Sequence, residues 1–247
     1  MHHQESVHAH EPEIYNKEIL AEGALFQKKW GLSLSYSFCA RSDLFPMMDL
    51  SVPGIRILEV GCACGATLIE IGAQNPTAKL YGVELNEKAA AIAQTYAKVI
   101  AMDVEHVEAD EIPERFDYIV MGDVIEHLLD PWKALANMRH LLAPGGCVVA
   151  SIPNVAHISN LYNLLRGLWE YQDAGLLDRT HFRFFTQREI VVMFQKAGFE
   201  IEDMRPRQFE VPAPIAELRN ELLSLRSITV RREDLDTLQW LVRAGRK

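Results

Sequence analysis

The titratable side chains best suited to chemistry fall in two short stretches. In Asp123-Val124-Ile125-Glu126-His127, a helical turn would bring positions 123, 126 and 127 onto one face, because i, i+3 and i+4 are neighbours on a helix. The second stretch, Leu177-Asp178-Arg179-Thr180-His181-Phe182-Arg183-Phe184-Phe185-Thr186, sets a histidine among arginines and aromatics. An imidazole with an unperturbed pKa near 6.5 accepts a proton at neutral pH, so His127 and His181 are the candidate general bases. Thr186, with Glu189 three positions on, reads instead as a helix cap with a structural role.

A third stretch offers a place for a ligand. Residues 55–68, IRILEVGCACGATL, run from an apolar strand through a glycine turn into a helical pattern. Gly61 and Gly65 leave the main chain bare, and free N–H groups at the start of the next helix favour a carboxylate or phosphate. The G-x-x-x-G spacing lacks the middle glycine of the dinucleotide fingerprint and the Gly-Lys-Ser/Thr of a P-loop. A different ligand with an adenosine end is therefore expected. Residues 79–84, KLYGVE, form a second strand ending in Glu84, 19 positions beyond Gly65, where a carboxylate can accept from both ribose hydroxyls.

These residues need a frame. Residues 104–110 read as a third strand, with residues 86–98 as the helix before it; residues 116–121 and 147–152 read as a fourth and a fifth. The fourth opens at Gly122-Asp123 and the fifth follows the turn at 143–146. Strands alternating with helices imply an α/β fold with a doubly wound, mostly parallel sheet and a crevice at the strands' carboxyl ends. Ahead of the sheet, helices are expected within 13–30 and 41–50, where Tyr15, Trp30 and Tyr36 are candidates for a lid over the substrate. Beyond the fifth strand, Ile158, Leu161, Tyr162, Leu165 and Trp169 fall at helical spacing in an inserted segment, 154–184. Asn154, Tyr162, Arg179 and Arg183 of that segment are expected to meet the substrate. Residues 205–232 hold a further helix at 215–225, which either covers the site or forms a dimer contact. The expected division is a tail with lid helices at 1–50 and one ligand-binding domain at 51–247.

Composition sets outer limits. The 247 residues, 49% hydrophobic and 24% charged, suit one α/β domain with additions. A net charge of −9 without a basic run disfavours nucleic acid and anionic membranes as partners. No apolar stretch approaches the roughly 20 residues that span a bilayer, and residues 1–12, with four of the nine histidines, lack a signal core, so a cytoplasmic location is expected. Cys39, Cys62, Cys64 and Cys147 lack the C-x-x-C pairing of a redox or zinc site and read as core or turn residues.

In content, order and spacing, ILEVGCACG, YGVELNE, VEADEIP, FDYIVMGDVIEHLLDP and LLAPGGCVVASIPN resemble the class I S-adenosylmethionine-dependent methyltransferases. The resemblance runs from about residue 55 to the last and implies a seven-stranded sheet whose final strand, TLQWLVRAGRK, runs antiparallel beside residues 199–204, so that the domain is complete. It implies S-adenosylmethionine as cofactor, with Glu59, Gly61, Cys62 and Gly65 at its methionine end, Glu84 and Leu85 at the ribose, Asp110 and Glu111 at the adenine, and Gly122 and Asp123 closing the cradle.

Through DRTHFRFFT and KAGFEIEDM the chain is similar to bacterial methyltransferases of natural-product and glycan biosynthesis, which implies a small-molecule acceptor and a monomer or homodimer. Because the sulfonium already carries a good leaving group, the protein must align the nucleophile and remove its proton, the task assigned to His127 and His181. O-methylation is the expected chemistry, with N- or C-methylation as alternatives. A nucleic-acid or protein methyltransferase and a non-catalytic cofactor-binding module are the readings from other classes. The pattern also resembles the E-x-x-E-H plus distal His of small-RNA 2′-O-methyltransferases and, more loosely, cation-assisted ubiquinone-pathway O-methyltransferases. That implies an alternative to a metal-free site, in which Asp123, Glu126, His127 and His181 hold Mg²⁺, Mn²⁺ or Zn²⁺.

Overall fold

The computed structural model describes residues 26–29, 31–107, 111–227 and 229–247. Seven strands form one sheet in the order β3-β2-β1-β4-β5-β7-β6. They are β1 (Arg56–Val60), β2 (Lys79–Glu84), β3 (Lys98–Ala101), β4 (Phe116–Gly122), β5 (Leu142–Pro153), β6 (Phe199–Gln208) and β7 (Thr237–Arg246). The first five pair in parallel, and β7 runs antiparallel to both β5 and β6. A one-turn helix, Leu34–Ser37, precedes β1, and the helices that follow β1 are α1 (Ala66–Gln74), α2 (Glu87–Ala93), α3 (Pro131–Leu141), α4 (Ile158–Leu165), α5 (Gln187–Lys196), α6 (Ala213–Ser224) and the short α7 (Arg232–Asp236).

Both faces of the sheet are covered, so its central strands are apolar on both sides. In β4, Ile119 and Met121 pack with Val148, Ala150, Leu135 and Met138 on one face. Tyr118 and Val120 pack with Val149, Ile71, Leu44 and Met47 on the other. Fully burying each of the Val, Leu, Ile and Met side chains among these contributes roughly 1.5–3 kcal/mol before the entropic cost of ordering it. The strand order reverses between β1 and β4. A crevice therefore opens at their carboxyl ends, where the glycine turn and residues 122–127 lie side by side.

The sequence placed several elements differently. The third strand is Lys98–Ala101, in the stretch read as the end of a helix, while Val104–His106 is a single 3-10 turn capped by Asp103. Helix propensity across the alanines of residues 89–97 hid the short strand behind them. The expected helix at 41–50 is a 3-10 turn, Ser42–Met47, with Pro46 inside it; lacking an N–H, that proline cannot donate an α-helical bond. The inserted helix stops at Leu165, leaving Trp169 beyond it against Phe184. Strand β5 starts at Leu142, ahead of the expected position.

Candidate active site

Three of the sequence's glycine-turn residues have left-handed backbone: Gly61 (φ 67°), Ala63 (φ 47°) and Gly65 (φ 78°). A Cβ on Gly61 would lie 2.9 Å from Val124 Cγ2, and one on Gly65 would run into the Tyr96 hydroxyl, so neither position accepts a larger residue without strain. Glu84 braces this turn. Its carboxylate accepts the Ala63 N–H at 2.7 Å and the Asn86 N–H at 2.8 Å, leaving each oxygen a further lone pair. Exposed Leu85 follows it.

Beneath the turn Glu59 is buried, and its Oε2 has no partner. Burial, aided by repulsion from Glu84 and opposed by Thr67 and Arg41, pushes the Glu59 pKa up to about 8. An orphaned buried carboxylate oxygen, a bare left-handed turn and a strand-end acid with spare lone pairs fit an amino acid joined to a nucleoside. The Cys62 side chain does not join them: it packs inward against Gly82, Leu68 and Val99, so only its backbone lies at the turn. Asp110 lies outside the described residues, and Glu111 is exposed on a turn past the end of β3.

At the end of β4, the expected turn with 123, 126 and 127 on one face does not form. Asp123 is left-handed (φ 53°), and only Ile125–His127 makes a 3-10 turn. The side chains diverge accordingly. Asp123 ion-pairs with Arg41 at 2.5 Å and accepts from Ser151 Oγ at 2.7 Å and Gln239 Nε2 at 2.9 Å. Arg41 also forks onto Asp43, and Arg207 reaches both Gln239 and Asp43, closing a polar ring that lies over Gly122. Arg41, Ser151 and Gln239 were not singled out from the sequence, since the contacts that join them around Asp123 span 28 to 116 positions of chain.

Glu126 turns inward instead. It is 1% exposed, neither carboxylate oxygen has a hydrogen-bond partner, and burial with repulsion from Asp123 raises its pKa well above the usual range. Its backbone carbonyl accepts from Phe182 N and Arg183 N, which brings His181 to it. The His181 Nε2 lies 4.0 Å from Glu126 Oε1, and the His127 and His181 rings meet edge to face at 4.7 Å between centroids. One ligating atom from each of Glu126, His127 and His181 lies within 4.8 Å of the others. Asp123 is outside this group, which corrects the four-ligand set: its oxygens are committed to Arg41, Ser151 and Gln239. Burial and the neighbouring His127 lower the His181 pKa, keeping that ring neutral at pH 7.

A cavity of about 100 Å³ is lined by Glu126 and His181 of this trio and walled by Tyr36, Asp123, Pro153, Leu176, Asp178 and Gln239 among others. Of the residues expected to meet the substrate, Tyr36 lines it, and Tyr15 and Trp30 lie outside the described residues. Four others are corrected. Asn154 is fully buried, donating to the carbonyls of Asp234 and Thr237 and thus tying β5 to β7. Tyr162 lies under the Arg166 guanidinium, and Arg179 pairs with Asp173 at the surface. Arg183 bonds the Leu129 carbonyl and stacks on Trp132, lining a separate surface groove. The polar ends of Asn154, Arg179 and Arg183 met partners in the protein first. A larger depression of about 510 Å³ lies at the opposite, amino end of β1, remote from all these groups.

Residues 37–203 match a family model described as a methyltransferase domain, and the chain belongs to that family. It is a class I S-adenosylmethionine-dependent methyltransferase. Among curated relatives, a ubiquinone biosynthesis O-methyltransferase of Cereibacter sphaeroides is 28% identical over 172 residues, 65% of this chain and 68% of that one. A demethylmenaquinone methyltransferase of Bacillus mycoides is 26% identical over 195 residues, 70% of this chain and 81% of the relative. A solved S-adenosylmethionine-dependent methyltransferase from Archaeoglobus fulgidus shares the fold at TM-score 0.59 and 17% identity, covering 91% of this chain and 99% of its own. The N-methyltransferase NodS from Bradyrhizobium japonicum, solved with S-adenosyl-L-homocysteine, matches at TM-score 0.52 and 17% identity, over 83% of this chain and 84% of its own.

Proposed function

We propose that this enzyme methylates a hydroxyl of a small-molecule acceptor, with His181 as the group that receives the hydroxyl proton. The observation that carries this reading is the meeting of buried Glu126 and His181 with half-buried His127 at the carboxyl end of β4, where Glu126 and His181 line a cavity. The cofactor supplies an electrophilic methyl group on a sulfonium when bound. Glu59 would pair with its ammonium group, the turn at Gly61 and Gly65 would admit its methionine end, and Glu84 would hold the ribose hydroxyls. A neutral imidazole in a confined site accepts the acceptor's proton, and Tyr36 forms part of the wall beside it. The relatives whose names specify ubiquinone biosynthesis O-methylation support a hydroxyl acceptor over an amine.

A second form of the same reaction is favoured by one observation: both oxygens of buried Glu126 lack partners. A carboxylate in that position is satisfied by a proton or by a cation, and Glu126, His127 and His181 offer one carboxylate and two imidazoles to Mg²⁺, Mn²⁺ or Zn²⁺. A cation there would lower the pKa of the acceptor hydroxyl and take over part of the work of His181. In this reading residues 51–247 are the S-adenosylmethionine-binding catalytic domain, preceded by a tail and lid segment at 1–50, and 154–184 and 205–232 are its substrate-side insertions. The net charge of −9 supports a free small molecule over nucleic acid, handled in the cytoplasm by a monomer or homodimer. Among the described residues no helix is long and apolar enough to cross a membrane.

Catechol is a suitable probe acceptor, offering one hydroxyl to His181 and one to Glu126. Transfer of labelled methyl to oxygen, lost in His181→Gln and unaffected by chelator, is expected for the metal-free form. Loss on chelation and recovery with added Mg²⁺, Mn²⁺ or Zn²⁺ identifies the cation-assisted form. Label that appears only on amine or carbon nucleophiles overturns both.

A further inference from the structure

We infer that Asp178 and Thr180 are positioning residues that fix the tautomer and orientation of His127. The inference rests on the reading above that His127 belongs to the working trio. Asp178 is buried, and its Oδ1 accepts both the Thr180 N–H at 2.8 Å and the Thr180 hydroxyl at 2.6 Å. The threonine hydroxyl has thereby given its only proton to the carboxylate, and Thr180 Oγ1 is left as an acceptor. That oxygen stands 3.1 Å from His127 Nδ1, and the Thr180 carbonyl, which can only accept, stands 3.2 Å from the same nitrogen. Two acceptors against one ring nitrogen require it to carry the proton. The lone pair of neutral His127 is then confined to Nε2.

The same segment treats the other imidazole alike. His181 Nδ1 lies 3.3 Å from the Leu176 carbonyl and acts as donor there, so its lone pair is on Nε2, the nitrogen 4.0 Å from Glu126. The segment is clamped to the trio by the Phe182 and Arg183 N–H groups, which donate to the Glu126 carbonyl at 2.9 and 3.1 Å. The turn built by Asp178 thus does for His127 what a backbone carbonyl does for His181. An imidazole that must take a proton, or hold a cation, through Nε2 needs Nδ1 engaged in this way, and loss of such an orienting partner costs about 10–100-fold where it has been tested.

The test uses the full chain with ¹⁵N-labelled histidine and catechol as acceptor. NMR of the enzyme with S-adenosylhomocysteine is expected to show neutral His127 protonated at Nδ1 in the wild type and a larger Nε2-protonated fraction in Thr180→Val, where the residue's own carbonyl is the one acceptor left at Nδ1. Turnover in Thr180→Val should fall about tenfold at unchanged catechol KM and cofactor affinity, with Thr180→Ser restoring both rate and tautomer. Asp178→Asn should raise the Nε2-protonated fraction in the same way. An Nε2-protonated His127 in the wild type, or a Thr180→Val enzyme with wild-type tautomer and rate, overturns the inference. Failure of the underlying reading is recognised separately, by full turnover in His127→Gln whatever the tautomer found.

Discussion

If Glu59 receives the cofactor's ammonium group, cofactor binding must release a proton. Without cofactor the buried carboxyl has a pKa near 8 and is neutral at pH 7; ion pairing with the ammonium requires it to ionise. At pH 7 the free enzyme holds about 0.9 proton on this group, so binding should expel close to one proton, and affinity should rise about tenfold per pH unit between pH 5.5 and 7. Calorimetric titration with S-adenosylhomocysteine in two buffers of different ionisation enthalpy counts that proton directly. Glu59→Gln should release none and show a flat pH profile.

The same group acts on folding in a definite direction. Its folded pKa lies above the unfolded value of 4.5, so the stability it contributes is full below pH 4.5 and is lost as pH rises towards 8. The loss approaches about 4 kcal/mol, and Glu59→Gln should remove it. Affinity that stays constant from pH 5.5 to 7 with no buffer dependence of the heat would refute the assignment of Glu59 to the ammonium.

Other perturbations test neighbouring parts of the site. Glu84→Ala should weaken S-adenosylhomocysteine binding by about 1.5–3 kcal/mol in calorimetry, because it removes charge-assisted bonds to the ribose and the brace on Ala63. Gly61→Val should abolish that binding, since its Cβ meets Val124 and its φ of 67° strains any branched residue; a variant that binds normally contradicts the turn's role. Arg41→Met leaves Asp123 without its cation and Asp43 with Arg207 alone, and should lower stability by about 2–4 kcal/mol in urea melts. Turnover should show an acid limb below pH 6.5, falling as His181 gains its proton, because its pKa is depressed by burial and by His127.

How far these features could be read from the residues depends on the range of the interactions that make them. Local periodicity and turn chemistry carried β1, β2, β4 and the glycine turn, since each rests on neighbours a few positions apart. The four-residue β3 was masked by the alanine-rich helix before it, whose end and the strand's beginning compete for the same residues. The trio was half legible. Its histidines were visible as candidate bases, but the opposite fates of Asp123 and Glu126 follow from one left-handed residue and from Arg41, far away in sequence. Asn154, Arg179 and Arg183 were expected at the substrate for their polarity. Each instead satisfies a local partner that only the folded chain brings within reach.

The central claim is that Glu126, His127 and His181 carry out transfer to a hydroxyl. Its most direct test is one comparison: the rate of labelled methyl transfer to a panel of hydroxyl, amine and carbon nucleophiles by the wild type, His181→Gln and Glu126→Gln, each saturated with cofactor and shown to bind it normally. The account predicts label on oxygen with the wild type and a loss of roughly 10²–10⁴-fold in both variants at unchanged cofactor affinity. Label confined to nitrogen or carbon, or full rates in both variants, would contradict it.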